Sequence, residues 1–341
     1  MEHIALFGYG LIGQTVYDYL TDLGYDVDIY DPNVTVPHVN QTDVTANPKI
    51  LEKLVSAYDG VIAATPYAVN LRIAQAAALV GTAYFDLTED IGITDAIRLL
   101  SNDAIMMPQC GLAPGAVSII THDLAAKFDT VRDAKIRVGA LPRAATNDIR
   151  YYLSWSLEGL VNEYMQPCPA IVNGQHVKLQ PLEGHELLAL DGCEYEAFNT
   201  SGGIGTLFDS VKPTRSLTYK SIRYKGHRDR IAFLIDDLQM TQQEVVELFR
   251  RDVPYCDDDV VILFVEVTGH IKGRLTTKTY LKKFYSDLKY TAIQKTTAAG
   301  AVSVIHCYFR GVLTGHGYVP NEALSFDKFV SNKYGALYEV D

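Results

Sequence analysis

Short apolar runs and helical repeats alternate along the first third of the chain. Ile4–Phe7 is a continuous apolar run, and after a set of glycines Ile12, Val16, Leu20 and Leu23 recur at spacings of three or four. That spacing makes one apolar face of a helix, which Gly24 is placed to end. Asp26–Asp31 alternates polar and apolar as a second strand, and Val39–Val44 reads as a weaker third. Gly60–Ala64 is a buried strand, Tyr67–Val80 an Ala-rich helix stopped by Gly81, and Ala83–Leu87 and Ala104–Met107 are two further strands. Strand and helix alternating at this spacing predict a doubly wound parallel sheet covered by helices on both faces.

The pattern changes after about Lys127. Ala134–Leu141 reads as a strand and Ile149–Tyr164 as an amphipathic helix, followed by a loop-rich stretch with Pro167, Pro169, Gly174, Pro181 and Gly184. Thr241-Gln242-Gln243-Glu244 is a capping box that starts a helix through about Arg251. Val260–Thr268 and Arg274–Tyr285 read as a hairpin turning near Gly269 and Gly273, and a last helix runs from about Thr296 to Leu313. The expected organisation is a Rossmann α/β domain in residues 1–128, completed by 296–341. An α+β domain with a mostly antiparallel sheet is expected in 129–295, for substrate binding and dimerisation.

Composition narrows the partners. The 341 residues carry a net charge of −11, which argues against nucleic acid and anionic membranes as partners. A few local basic groups can still hold a small anion. No apolar run reaches the length of a membrane span, and the start of the chain shows no basic, apolar leader pattern. The five cysteines form no CxxC pair and the histidines no HExxH, so a metal is not expected and a reducing cytoplasm fits best.

Gly8-Tyr9-Gly10-Leu11-Ile12-Gly13 matches GxGxxG between a strand and a helix. Gly8 permits the tight turn, Gly10 lets backbone approach a pyrophosphate, and Gly13 lets helix and strand pack closely. Asp31, 18 positions after Gly13, is placed to hydrogen-bond a ribose diol. Its charge repels a 2′-phosphate, and Pro32-Asn33 supplies no base, so NAD is favoured over NADP. Leu11, Ile12, Asp43, Val44, Thr65 and Pro66 join the cofactor-binding candidates. Tyr67 reads either as a phenol at a reacting centre or as a packing aromatic. Asp86 reads either as an acid/base or as the cap of the Thr88 turn. Cys110, beside Gly111-Leu112-Ala113-Pro114-Gly115, reads as a small buried thiol.

Several segments together resemble the saccharopine dehydrogenase family, most closely its lysine 6-dehydrogenase-type members. They are Gly8–Gly13, Thr65–Tyr67, Cys110–Gly115, Trp155–Leu160 with Glu163-Tyr164, Ile171–Gly174, Glu196–Gly203 and Lys220–His227. The resemblance implies a homodimer and NAD(P)-linked oxidation of the C–N bond of lysine or a lysine-derived amino acid. Two alternatives stay open: a carboxynorspermidine-type reductive condensation, and a non-catalytic NAD(H)-binding regulator. Within the resembling segments, Arg223 is the candidate to hold a substrate carboxylate bidentately. His227 reads either as a proton-transfer group or as a structural histidine. Trp155, Ser201, Gly202 and Gly203 are candidates to line the substrate pocket, with Arg143, Asn147 and Arg150 behind them. One departure stands out: the family's proline before Gly226 is Lys225 here.

Overall fold

The computed structural model describes residues 1–100 and 103–340. Asp341, the last residue of the expected C-terminal segment, lies outside them. The chain forms two compact units. The first joins residues 1–119 to 296–339, and the second takes residues 120–295.

The first unit contains β1 (His3–Phe7), α1 (Leu11–Asp22), β2 (Asp26–Tyr30), β3 (Val39–Asn40), α2 (Pro48–Val55), β4 (Gly60–Ala63), α3 (Tyr67–Val80), β5 (Ala83–Asp86), α4 (Ile91–Arg98) and β6 (Ile105–Met107). The helix α5 (Val117–Ala125) carries the chain across the boundary into the second unit. The first unit's sheet is parallel throughout, in the order β15-β6-β5-β4-β1-β2-β3, where β15 (Gly317–Tyr318) is contributed by the C-terminal segment. Ile4, Ala5 and Leu6 of β1 and Val61 and Ala63 of β4 are fully buried, as strands covered on both faces require. The strand order reverses between β1 and β4, and crevices of doubly wound sheets open at such a point.

The third strand is shorter than its apolar pattern suggests. Asp43 caps a short 3₁₀ turn over Val44–Ala46, which diverts the backbone, and the Val44 side chain is buried in the core. Alternation alone missed α2 and α4, each capped by a polar side chain, Asn47 and Asp90.

The second unit contains β7 (Thr130–Pro142), α6 (Leu157–Met165), β8 (Cys168–Val172), β9 (Gln175–Leu179), β10 (Glu186–Leu190), β11 (Cys193–Asn199), α7 (Leu207–Ser210), β12 (Ser216–Tyr224), α8 (His227–Ala232), α9 (Gln242–Asp252), β13 (Asp259–Ile271) and β14 (Arg274–Tyr285). Its main sheet runs β10-β11-β12-β7-β13-β14 and is antiparallel except for the β12–β7 pair. The expected helix over Ile149–Tyr164 begins only at Leu157. Ser156 caps it by accepting from the Gly159 N–H, and Leu153 before it bridges instead to Tyr255. The long helix α10 (Ala292–Phe309) starts earlier than expected because the buried Asp259 accepts from the Ala292 and Ile293 N–H groups at its first turn. A short helix α11 (Phe326–Val330) closes the C-terminal segment. Among the described residues, no helix is long and apolar enough to cross a membrane.

Candidate functional site

In the first unit the glycine loop is shaped by contacts that leave no room for a side chain, except at one position. A Cβ on Gly8 would meet the Ala64 carbonyl oxygen at 2.3 Å, and φ there is +93°. A Cβ on Gly13 would meet the Gly8 carbonyl oxygen at 2.1 Å, so α1 packs directly on the turn. Gly10 has no atom within 4 Å of that position. The backbone is therefore bare toward open space at the N-terminus of α1, where the helix dipole and free N–H groups suit an anion. Asp31 is bound into this turn: one carboxylate oxygen accepts from the Tyr9 N–H at 2.8 Å and the other from the Asn33 N–H at 2.8 Å. Its remaining lone pairs can accept from ribose hydroxyls. Thr65 lies against Gly8 and donates to Asn70 at 2.5 Å. Leu11 and Tyr67, the first residues of the helices that follow β1 and β4, are 54% and 48% exposed. Two apolar side chains thus flank the switch point at the surface. The residues present fit a dinucleotide.

Asp86 is not placed to exchange protons with a substrate, contrary to one of its two sequence readings. It is fully buried; one oxygen accepts from the Thr88 and Gln109 N–H groups, and the other from the Tyr84 hydroxyl at 2.7 Å. Burial pushes its carboxyl up to about 6, and those hydrogen bonds hold it from rising further. Its work is to tie the end of β5 to the turn after β6. Cys110 in that turn is a buried thiol, raised well above its usual range by burial. The sequence reading passed over Glu89, three residues beyond Asp86. Burial raises its carboxyl to about 7, and the charges of Asp90 and Asp86 add to the shift. A carboxylate just past a strand's C-terminal end was the available signal.

In the second unit, Arg223, Tyr164 and His227 form a chain of hydrogen bonds whose proton positions are fixed by one acceptor. The Ile149 carbonyl can only accept, so His227 Nδ1 carries the proton and donates to it at 2.7 Å. His227 Nε2 then accepts from the Tyr164 hydroxyl at 3.0 Å, and that oxygen accepts from Arg223 Nε at 2.9 Å. Burial, reinforced by the Arg223 charge, drives His227 down to about 3, so it is neutral. The structure therefore supports the structural reading of His227 over proton transfer: both ring nitrogens are used inside the protein.

Arg223 is 2% exposed. Besides Tyr164 it donates Nη1 to the Ile222 carbonyl at 2.9 Å, with the Tyr151 and Tyr164 rings 5.1 and 5.7 Å from its guanidinium carbon. Among the described residues no carboxylate lies within ion-pair distance; Glu163 acts on it only through its field. A guanidinium stays charged, and a buried charge without a partner costs several kcal/mol. The residue opposite Arg223 on β11 is the buried Glu196. Its carboxylate is turned away, accepting from the Gly226 N–H at 2.9 Å, the Arg228 N–H at 2.6 Å and His185 at 3.2 Å. The one acid that β11 places across from Arg223 is thus spent on the turn that starts α8.

The other substrate-pocket candidates are only partly gathered here. Trp155 packs half-buried beside Tyr151 on the core of α6 and α9. The Ser201 N–H donates to the Glu163 carbonyl at 3.1 Å, which ties its loop to α6. Gly202 has φ +91°, and Gly203 lies under the Tyr219 ring, whose carbon would stand 2.1 Å from a Cβ. The Tyr219 ring fills the space at Gly203, and the left-handed backbone at Gly202 favours a glycine. Arg143 pairs with Asp258 and Arg150 holds a positive φ in the turn, while Asn147 brackets Tyr151. Lys225 pairs with Glu194 at the surface.

Fold and site together define a two-unit α/β protein with a dinucleotide cradle. Residues 111–335 match the model of the saccharopine dehydrogenase C-terminal domain, and the chain belongs to the saccharopine dehydrogenase family. Its fold is similar to that of an apo saccharopine dehydrogenase (L-Glu forming) from Saccharomyces cerevisiae, with TM-score 0.75 at 15% identity over 96% of this chain and 95% of that one. It is also similar to a C. glutamicum DAP dehydrogenase in complex with DAP and to an engineered D-amino acid dehydrogenase bound to NADP+. Each has TM-score 0.52 at 14% identity over 98% of both chains. At such identities the likeness is one of fold.

Proposed function

We propose that this protein is an NAD-dependent dehydrogenase that oxidises the C–N bond of an amino acid, lysine or a lysine-derived molecule. The observation that carries the reading is Arg223: a buried guanidinium with no carboxylate partner among the described residues, fixed in place by Tyr164 and His227. It is the complement of a substrate carboxylate. Glu163, on α6 and 3.5 Å from the Ser221 hydroxyl, places a buried carboxylate in the same cluster, suited to a substrate ammonium.

In this reading the bound nicotinamide supplies the hydride acceptor, and the chain supplies position and proton transfer. Gly8, Gly10 and Gly13 hold the pyrophosphate on backbone amides, Asp31 holds the ribose diol, and Leu11 and Tyr67 cover apolar surface. Arg223 anchors the substrate carboxylate. The family and the glycine cradle support an oxidoreductase; Asp31 supports NAD over NADP. A homodimer and a cytoplasmic location complete the proposal.

The test is NADH formation at alkaline pH with lysine, saccharopine and carboxylated polyamines, run in both directions. Turnover with one of these supports the reading. NADH binding without turnover of any would instead favour a regulator.

A further inference from the structure

Residues along β12 alternate between the two faces of its sheet. Ser221 and Arg223 belong to the face that carries α6, and Thr218 and Lys220 to the other. On that second face Lys220 stands opposite Arg137 of β7, and Thr218 opposite Lys135. A cavity of about 420 Å³ opens over them, bounded also by Glu186 and Asn199.

The charges around it are incompletely matched. The Arg137 side chain is 6% exposed; Nε donates to Glu186 Oε1 at 2.5 Å, and Nη2 reaches Oε2 at 3.4 Å. Its Nη1 is buried and has no hydrogen-bond partner among the described residues. Lys220 Nζ donates to the Gly184 carbonyl at 2.5 Å and lies 3.5 Å from the same Glu186. One carboxylate therefore serves a buried and a partly buried cation. Lys135 has only a 3.6 Å contact with Glu266, and Glu183 stands exposed at the mouth. Burial and the nearby positive charges hold Lys220 below its usual range, despite Glu186. Two cations that share one acid leave positive charge that a bound anion would complete.

We propose that this cavity is an anion-binding site in the second unit, taking the carboxylate or phosphate group of a small molecule on Lys220 and Lys135, with Thr218 and Asn199 as neutral contacts. It lies on the sheet face opposite Arg223, so its ligand is distinct from the proposed substrate.

The experiment is titration calorimetry of the full chain with inorganic phosphate and with succinate, in a low-salt amine buffer. The proteins are wild type, Lys220→Met, Lys135→Met and Arg223→Met. Saturable binding of either probe is expected, weakened about tenfold or more in Lys220→Met, as loss of a charge-assisted hydrogen bond implies. It should persist in Arg223→Met. The probe that binds tells carboxylate from phosphate. No saturable binding to wild type up to about 20 mM would overturn the proposal. So would equal binding by Lys220→Met, or loss in Arg223→Met alone. If circular dichroism shows Lys220→Met to be misfolded, the more exposed Lys135→Met decides by the same criterion.

Discussion

Arg223 and His227 act as a pair, and each gives a measurement. If Arg223 holds the substrate carboxylate, Arg223→Met raises KM by about tenfold to a hundredfold, the worth of hydrogen bonds to a charged group. The same variant should leave the decarboxylated amine unaffected; an equal loss on both would mean a purely structural role. His227 is pushed below its unfolded value of 6.5 to about 3. Between those values the unfolded chain binds a proton that the folded one does not, so stability is present above 6.5 and lost as pH falls toward 3. The slope is about 1.4 kcal/mol per pH unit. Urea unfolding at pH 7 and pH 4.5 should show it, and His227→Asn should flatten it. Glu89 gives the opposite kind of readout. If Glu89 serves as the base it must be ionised, so kcat/KM should rise with pH through about 7, and Glu89→Gln should abolish that limb. An unchanged profile would remove Glu89 from the mechanism.

Among the elements, the glycine turn separates folding from binding. Gly13→Ala places a carbon 2.1 Å from a backbone oxygen, and we expect it to cost about 1–3 kcal/mol in thermal or urea unfolding. Gly10→Ala meets nothing within 4 Å, so its stability should match wild type while NADH affinity falls at least about tenfold. If Gly10→Ala binds NADH normally, the cradle is not the nucleotide site. This turn was legible in the sequence because its parts lie within six residues. The buried strands β1 and β4 were legible too, since both faces are covered and the run is uniformly apolar. The strands β8 to β11 were not. Pro169 interrupts β8, while β9 and β10 carry mostly partly exposed or exposed side chains that give no clean period. The Arg223–Tyr164–His227 chain was half legible: Arg223 and His227 stood out, but the bonds that fix them reach across about sixty positions to α6, and no local spacing reports that.

Across the whole molecule, the first unit is completed by residues that come last. Tyr338 is fully buried and donates to the Thr296 carbonyl at 2.6 Å, and Ser303 of α10 bonds Asn332. β15 pairs with β6 at the sheet edge, where Ile105, Met106 and Met107 are all fully buried. The β15–β6 pairing, with the Asn321 side chain donating to the Pro108 carbonyl at 3.0 Å, ties 296–339 to 1–119, although 176 positions separate the two segments.

The edge strand β15 has a consequence for how the protein is made. A ribosome delivers residues in order, so β6 emerges with its outer edge unpaired and waits for Gly317 and Tyr318 while the entire second unit is synthesised. An unpaired apolar strand edge is a template for wrong partners. The nascent chain is therefore most exposed to misassociation in its oldest part, and the middle of the protein can reach its final form before the beginning does.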